Sequence, residues 1–327
     1  MQINTVELEK ALKTIQAGMD KDEFVFFNGM YLIAGNDQII VYCPLQTDFT
    51  GGVNANDLSK LISSINKDMI PDFEMLVEEN QLLINAQNVS GGLKMTHADQ
   101  EIPFALPENC EWENLPDDFK EALTLCSFSA STDQSLGLLT CLKVDKRNVI
   151  SSDNFRVSKY TFSKPVKNAY MLTLPVITSL LKFDPVKVCQ DNSFVHFELS
   201  SQAVFSCRKA VGDYPNVNAL FAVTGETFEL PKELRIAVKS VEFLADNDNP
   251  FERFVTIETA DGKLRCGAEN DRGWTNFVLD QTLDRDVKFR INPAFLFEIL
   301  DKVTKITLGP DKALFQTDKF KHVMALP

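Results

Sequence analysis

Apolar positions recur with helical spacing in several distant parts of the chain. One pattern has apolar residues at positions i, i+3, i+4 and i+7, with Ala at the second position. It occurs at Leu8-Ala11-Leu12-Ile15, Phe119-Ala122-Leu123-Cys126 and Leu234-Ala237-Val238-Val241. These positions share one face of a helix, and acidic or proline residues stand at the start of each segment. The pattern predicts three amphipathic helices.

A second helical pattern alternates with the first along the chain. Its three copies begin at evenly spaced positions, at Leu58-Leu61-Ile62-Ile65, Ile177-Leu180-Leu181 and Leu296-Ile299-Leu300-Val303. Pro175 and Pro293 suit the first turn of a helix, and Asn56 or Asn292 can cap one. Together the two patterns predict helices over 6–20, 54–68, 116–126, 174–184, 231–242 and 292–305.

The segments between the predicted helices have the composition of strands and hairpins. Three of them break at the turn-forming pairs Asn28-Gly29, Asp145-Lys146 and Asp261-Gly262. A further hairpin follows each second helix, in FEMLVEENQLLINA, VKVCQDNSFVHFEL and KITLGPDKALFQTD. Val195, Phe197 and Leu199 alternate with polar residues, as in a half-buried strand. The doublets Gly51-Gly52 and Gly91-Gly92 are interpreted as turns or bulges.

The order helix, strand meander, helix, strand meander therefore repeats three times. This predicts an α+β fold of three tandem repeats, each with two helices packed on antiparallel sheet, over residues 1–108, 115–222 and 226–327. Repeats with exposed sheet edges can satisfy those edges by pairing into a closed ring. A tandem duplication without any particular function is the competing interpretation.

Composition narrows the class of protein. The chain has 327 residues, of which 44% are hydrophobic, and no apolar run is long enough for a membrane span. The N-terminal segment does not resemble a secretion signal, and the seven scattered cysteines suit reduced core thiols in a cytoplasm. The net charge of −13 argues against tight binding of nucleic acid over the whole surface, but not against local contact.

Residues that carry catalytic chemistry are sparse. The three histidines, His97, His196 and His322, each fall in a predicted strand, and no hydrolase or nucleotide-binding motif is present. The acidic cluster at 246–250 lacks the ligand spacing of a calcium loop. We predict no enzyme, no metal and no cofactor, while an enzyme whose site is assembled from scattered residues is the alternative.

Basic residues are concentrated in the later parts of the predicted helices. They are Lys10, Lys13, Lys60, Lys67, Lys182, Lys239, Lys302 and Lys305. If the helices line a ring bore, these lysines give loose, salt-sensitive contact with phosphates and no reading of base sequence. Complementarity to the helix dipole explains the same placement without any DNA.

Three segments resemble the signatures of bacterial DNA polymerase III beta subunits, the DNA sliding clamps. VISSDNFRVSKY (149–160) is similar to the "TDGHRL" element, FSCRKAVGDYPNV (205–217) to the element that ends in Pro-Asp-Tyr, and HVMALP (322–327) to the C-terminal "Y-x-x-M-P". Three repeats with two helices each are the architecture of that family, so the resemblance covers the whole chain.

The resemblance implies a hydrophobic cleft between the second and third repeats that binds linear peptides of the polymerase and the clamp loader. Its members would be Ser152, Asn154, Phe155, Arg156, Val157, Pro215, Leu220, Met324, Ala325, Leu326 and Pro327. Asn154-Phe155 replaces the family's Gly-His, and Ala219 stands where an Arg often occurs. The location of the cleft is thus better indicated than its specificity.

The resemblance also implies a ring of two chains around duplex DNA. Each chain would form half of the ring, closed head to tail by Leu93 and Met95 on one side and by Phe243 and Leu244 on the other. The expected function is a cytoplasmic processivity factor that tethers a polymerase without contacting a membrane. The alternative is a clamp-fold protein that binds partner peptides but does not load onto DNA.

Overall fold

The computed structural model describes all residues except 20–23, 66–67, 88, 97–106, 108–109, 246–251, 282 and 284. The chain forms two compact units. The first comprises residues 1–123 and 164–211, and the second comprises residues 124–163 and 212–327. His97, Lys67 and the acidic cluster at 246–250 lie outside the described residues. No helix in the described ranges is long and apolar enough to cross a membrane.

The described part of the chain contains six α-helices. They are α1 (Thr5–Ile15), α2 (Ala55–Ser63), α3 (Phe119–Ser127), α4 (Leu174–Leu180), α5 (Leu234–Val241) and α6 (Pro293–Leu300). Each overlaps one predicted segment, and every side chain of the first helical pattern is buried. The second pattern is also buried apart from Leu61 and Leu181, which are half-buried. The predicted helices are confirmed in number and place, but α1, α2, α4 and α6 end four or five residues earlier than predicted, and α3 and α5 begin three residues later.

Helix caps explain where several helices begin. Asn4 and Asn292 accept hydrogen bonds from backbone N–H groups in the first turns of α1 and α6, and Pro293 is the first residue of α6. In α2 the cap is Asn54, whose side chain accepts from the N–H of Asp57. The prediction that Asn56 caps this helix is wrong, because Asn56 lies inside it.

The first unit contains thirteen described strands, which we number along the whole chain. They are β1 (Gln2–Asn4), β2 (Phe24–Asn28), β3 (Tyr31–Gly35), β4 (Ile39–Pro44), β5 (Thr50–Asn54), β6 (Asp72–Glu78), β7 (Gln81–Ala86), β8 (Val89–Lys94), β9 (Glu113–Asn114), β13 (Tyr170–Thr173), β14 (Pro185–Gln190), β15 (Phe194–Leu199) and β16 (Val204–Arg208). A small antiparallel sheet has the order β1-β6-β7-β8, and a large one has the order β5-β2-β3-β4-β16-β15-β14-β9.

The second unit contains eleven described strands. They are β10 (Cys141–Asp145), β11 (Asn148–Ser152), β12 (Arg156–Thr161), β17 (Glu226–Glu229), β18 (Val255–Ala260), β19 (Lys263–Asn270), β20 (Gly273–Leu279), β21 (Lys288–Ile291), β22 (Lys305–Leu308), β23 (Lys312–Gln316) and β24 (Phe320–Ala325). Its large sheet runs β10-β11-β12-β24-β23-β22-β17 and its small sheet runs β20-β19-β18-β21. All six predicted hairpins are confirmed.

The two large sheets are built in the same way, as tandem repeats require. In each, a three-stranded meander joins the last strand of a later meander, through β4–β16 in one unit and β12–β24 in the other. The turns before β4 and β12 also match. Asn36 Oδ1 accepts from the N–H groups of Gln38 and Ile39, and Asp153 Oδ1 accepts from those of Phe155 and Arg156. The boundaries of the three repeats stay a prediction.

The glycine doublets lie within strands, which corrects their interpretation as turns. Gly51 and Gly52 belong to β5, and Gly91 and Gly92 belong to β8. A Cβ on Gly91 would come within 3.0 Å of the Leu61 side chain on α2. Glycine therefore lets the helix approach the sheet closely at this position.

The cysteines differ from the expectation of reduced core thiols. Five are free and buried, namely Cys43, Cys126, Cys141, Cys207 and Cys266. Burial raises the thiol pKa of Cys266 to about 12, so it is a poor nucleophile at neutral pH. The remaining two, Cys110 and Cys189, form a disulfide within the first unit.

Candidate functional site

The predicted cleft begins at the tight turn between β11 and β12. Asp153 closes this turn by accepting backbone N–H groups, and Ser152 Oγ donates to the carbonyl of Arg156 over 2.9 Å. Asn154 has a φ of 78°, in the left-handed region that Asn tolerates better than most residues. Asn can therefore occupy the position where the family signature has Gly. The side chain of Asn154 is exposed.

The tail of the chain lies against this turn through strand pairing. In the β12–β24 register Arg156 is opposite Met324 and Val157 is opposite Val323. The carbonyl of Phe155 accepts the N–H of Ala325 over 2.8 Å, and Leu326 donates to the carbonyl of Asp311. The structure thus brings together two predicted segments that are far apart in sequence. Val157 and Met324 are buried beneath this surface, so they support it from the core.

Arg156 is held in a network that the sequence did not indicate. Its Nε donates to Asp153 Oδ2 over 2.8 Å, and its Nη1 pairs with Glu298 on α6. The guanidinium also lies 4.2 Å from the ring centroid of Phe295 and 5.4 Å from that of Phe128. Only 10% of the Arg156 side chain is exposed. Arg156 therefore positions the turn and is not available to pair with a peptide carboxylate.

A buried histidine lies behind the same strands. His322 Nδ1 is 2.8 Å from Ser158 Oγ and 3.3 Å from Ser129 Oγ, and its ring packs near Phe128 and Phe320. Burial, assisted by the positive charges of Arg156 and Lys302, holds the His322 pKa well below its ordinary value. His322 is therefore neutral at pH 7, and its lack of exposure makes it a structural residue rather than an acid or base catalyst.

His196, in the first unit, has a similar structural role. It is 3% exposed, with Nδ1 2.7 Å from Ser206 Oγ and Nε2 3.1 Å from Asp191 Oδ2. Burial lowers the pKa of His196, although Asp191 opposes the shift. Its burial departs from the polar-out alternation predicted for β15. Among the described residues, no cluster of His, Cys, Asp and Glu is placed to hold a metal ion.

A short 3-10 turn at Asn218–Phe221, which contacts β24, carries part of the accessible surface of the predicted cleft. Leu220 on this turn is 43% exposed, and Pro215 is also exposed. Tyr214, which the sequence did not indicate, is buried beside them, and burial raises its pKa. The exposed or half-buried members are Asn154, Phe155, Pro215, Leu220, Ala325, Leu326 and Pro327. They form a mainly apolar surface suited to an extended peptide with Leu or Phe anchors.

The described lysines predicted to face DNA are all exposed. Lys13 pairs with Glu9 over 2.8 Å and Lys239 pairs with Glu242, so part of their charge is neutralised. In the described ranges no ion pair involves Lys10, Lys60, Lys182 or Lys305. Lys302 and Lys305 lie beyond the end of α6, where Lys302 Nζ donates to the carbonyl of Glu298.

The residues predicted for the ring interface lie on and just after β8, a strand at a sheet edge, and in a 3-10 turn at Glu242–Leu244. Leu93 belongs to β8, the last strand of its sheet, and is half-buried, whereas Met95 is 6% exposed and packs within its own unit. Phe243 is 61% exposed and Leu244 is half-buried. The sequence analysis missed β20, an edge strand that exposes 70% of Trp274. The run WTNFVL (274–279), which is rich in aromatic and β-branched residues, was the available signal.

Comparisons with solved structures identify the fold. Over 100% of its length the chain matches the DNA polymerase III beta chain of Streptococcus pneumoniae, with TM-score 0.84, 17% identity and 98% of that chain covered. It matches the beta subunit of Pseudomonas aeruginosa with TM-score 0.85, 14% identity and 99% covered. It also matches the DNA polymerase III beta subunit of Thermotoga maritima, with TM-score 0.79, 16% identity and 98% of that chain covered.

The sequence alone gives no such match. No protein-family model and no curated protein matches the chain. The predicted resemblance to the beta clamps is therefore confirmed for the fold, which is an α+β fold with antiparallel sheets over the whole chain.

Proposed function

We propose that the protein is a DNA sliding clamp, a processivity factor that encircles duplex DNA and tethers a polymerase. The observation that carries the proposal is the clamp fold, which extends over the full chain and over 98% and 99% of the two beta-subunit chains that it matches. That fold belongs to non-catalytic processivity factors. The burial of His196, His322 and the five free thiols among the described residues supports a protein in which these groups have a structural role.

In this function the helices contact DNA through exposed lysines. Lys10, Lys60 and Lys182 can each approach a phosphate without first breaking an ion pair within the described residues. Such contacts are weak, sensitive to salt and independent of base sequence, which permits sliding. The acidic remainder of the chain discourages nonspecific binding to DNA outside the bore.

Two chains would close the ring head to tail. Within the described residues, β8 and β20 are edge strands whose outer backbone groups pair with no other strand, and Phe243 and Trp274 add exposed apolar surface near the second edge. Pairing β8 of one chain with β20 of the next would satisfy both edges at once. Phe243, Leu244 and Trp274 would be the main apolar contacts on that side, with Leu93 opposite. Met95 would support β8 from within.

The cleft in the second unit would bind peptides of the polymerase and the clamp loader. A change of Leu220 to Asp places a charge on its exposed apolar wall and should weaken binding of a polymerase tail peptide at least tenfold, because an apolar anchor then meets a charge. Val186, which is 41% exposed on β14 in the first unit and lies outside the three motif segments, supplies the matched control. Fluorescence anisotropy with a labelled peptide measures the affinity of both variants. An equal loss of affinity in Val186→Asp would remove the support for this location.

The test of the clamp function combines solution mass with retention on DNA. Sedimentation equilibrium should show a species of twice 36.8 kDa. Protein loaded onto a nicked circular plasmid by a clamp loader should remain bound at high salt and should slide off when the plasmid is linearised. Equal retention on circular and linear DNA would contradict encirclement. A Trp274→Glu variant should lose the dimer, while Val211→Glu, at an 89% exposed position outside both edge strands, should keep it.

One observation favours the alternative of a clamp-fold protein that binds peptides without loading onto DNA. Glu9 and Glu242 neutralise two of the lysines that would otherwise face DNA. A clamp-fold protein of this kind would bind the polymerase peptide in the cleft and would not be retained on either the circular or the linear plasmid. The two experiments above therefore separate the alternatives.

A further inference from the structure

Three lysines lie beside the predicted cleft on the outer face of the large sheet of the second unit. They are Lys159 on β12, Lys321 on β24 and Lys312 on β23, and we call them the lysine strip. Lys321 is exposed, and the other two are half-buried. All three belong to one compact unit, so the strip does not depend on how the two units are placed.

Hydrogen bonds show which side of this sheet faces the helices. Ser151 Oγ donates to the carbonyl of Cys126 on α3, and Ser158 is directly opposite Ser151 in the β11–β12 register. Successive residues of a strand point to opposite faces, so Lys159 points away from the helices. Lys321 is directly opposite Lys159 in the β12–β24 register and therefore shares its outer face.

The strip adjoins the exposed members of the cleft at two points. Lys159 Nζ donates to Asn218 Oδ1 over 3.4 Å, and Asn218 belongs to the 3-10 turn that carries Leu220. Lys312 is directly opposite Ala325 in the β23–β24 register. A ligand held on the apolar surface of the cleft therefore has positive charge next to it.

The positive charge of the strip is not neutralised within the described residues. Neither β12, β23 nor β24 contains Asp or Glu. Asp311 and Asp318 lie in the turns at the two ends of β23, and in the described ranges no ion pair joins a carboxylate to any lysine of the strip. Three free cations thus lie together on a chain whose net charge is −13.

The corresponding positions of the first unit carry apolar and aromatic residues. Tyr42 and Val204 are directly opposite each other in the β4–β16 pair, at the place that Lys159 and Lys321 occupy in the β12–β24 pair. Phe194 on β15 takes the third position and packs with them. The fold therefore does not require lysines here. Like charges directly opposite each other destabilise a sheet, so a role in binding explains them better than a role in folding.

We propose that the lysine strip binds acidic residues that flank the apolar anchors of a partner peptide in the cleft. The partner is thus a linear peptide with Leu or Phe anchors next to Asp or Glu. This inference rests on the proposed function, because it takes the cleft as the site of the anchors. Lys159 is two residues from Val157 along β12, about 7 Å in an extended strand, so the residues that follow an anchor reach the strip.

An acidic peptide fits this surface better than nucleic acid does. The strip is continuous with the apolar surface of Leu220 and Ala325, which a phosphate backbone would leave uncovered. A peptide can supply apolar anchors and carboxylates within one extended segment, and peptide sites commonly combine apolar contacts with a few polar ones.

The test measures the affinity of two labelled peptides for the full chain by fluorescence anisotropy. Both peptides contain the same Leu and Phe anchors. One has glutamates on both sides of the anchors, and the other has glutamines at the same positions. The glutamate peptide should bind about tenfold more tightly at low salt, or about twofold for each lysine. This preference should vanish at about 1 M salt, where charges are screened over about 3 Å.

Replacing two lysines of the strip should remove most of the preference. In the double variant Lys312→Gln, Lys321→Gln the glutamate peptide should bind only about twofold more tightly than the glutamine peptide. Lys232, an exposed lysine just before α5 in the same unit, supplies the matched control, and Lys232→Gln should keep the tenfold preference. Lys321→Gln should melt no lower than the wild type, because it relieves repulsion with Lys159.

The outcomes separate this inference from the cleft on which it rests. Equal binding of the two peptides at low salt would overturn the inference and leave the cleft standing, whereas failure of both peptides to bind would overturn both. A preference that persists in the double variant would exclude the strip as its cause. A lower melting temperature of Lys321→Gln would show that the strip supports the fold instead. Competition by an oligonucleotide at a lower concentration than by poly-glutamate would identify nucleic acid as the ligand and refute the proposal.

Discussion

Replacement of Arg156 by methionine tests the network that holds the cleft turn in place. Methionine keeps an unbranched side chain that can pack against Phe295 and Phe128, but it removes the charge. Asp153, whose side chain is only 14% exposed, then loses its ion pair while remaining in the same turn. The variant therefore isolates the electrostatic part of the network.

The expected loss in the free energy of unfolding depends on how exposed the two partners of Arg156, Asp153 and Glu298, are. Removing one member of a buried ion pair costs about 3–5 kcal/mol, because the other charge is left without a partner. Asp153 still accepts two backbone N–H groups, which places the loss near the lower end, at about 3 kcal/mol. Glu298 is 44% exposed, so the Glu298→Gln control should lose no more than about 1 kcal/mol.

Urea unfolding measures these differences. The two tryptophans, Trp112 and Trp274, lie in different units, so a Trp112→Phe background leaves Trp274 to report on the unit that contains Arg156. The midpoint should shift in Arg156→Met without a change in the dependence on urea. A loss below about 1 kcal/mol would refute the interpretation of Arg156 as a buried, positioning charge.

Two further predictions concern titration and redox state. The His322 pKa is depressed in the folded protein, so below about pH 6.5 the unfolded state binds a proton that the folded state excludes, and stability should fall by up to about 1.4 kcal/mol per pH unit from this group. His322→Asn should flatten that part of a pH series of urea unfolding curves, and an unchanged slope would contradict the assignment. Thiol titration of the urea-denatured protein should count five free thiols before reduction and seven after it, because Cys110 and Cys189 are joined. Seven thiols before reduction would show that the pair is reduced in solution.

Local sequence patterns predicted much of the fold. The helices were predicted correctly because apolar residues repeat with the period of a helix and are buried on one face. In α1 these residues are Leu8, Ala11, Leu12 and Ile15. The hairpins were found because their turns use residues such as Asn28-Gly29 that adopt turn conformations. The two helical patterns recur in step across three copies, and this recurrence indicated the repeats. Helix ends were less predictable, since α6 stops at Leu300 although the apolar period continues to Val303.

The sequence by itself determined the segments of the candidate cleft, because its motifs lie in short continuous stretches. Only the tertiary structure decided which of those side chains a partner can reach. Val157 and Met324 share motifs with exposed neighbours but are buried, because alternate residues of a strand point to opposite faces. The contacts of Arg156 with Glu298 and of His322 with Ser158 join residues far apart in sequence. The spacing of apolar residues within one segment cannot predict such pairs, since they form only when the sheet and the helix pack together.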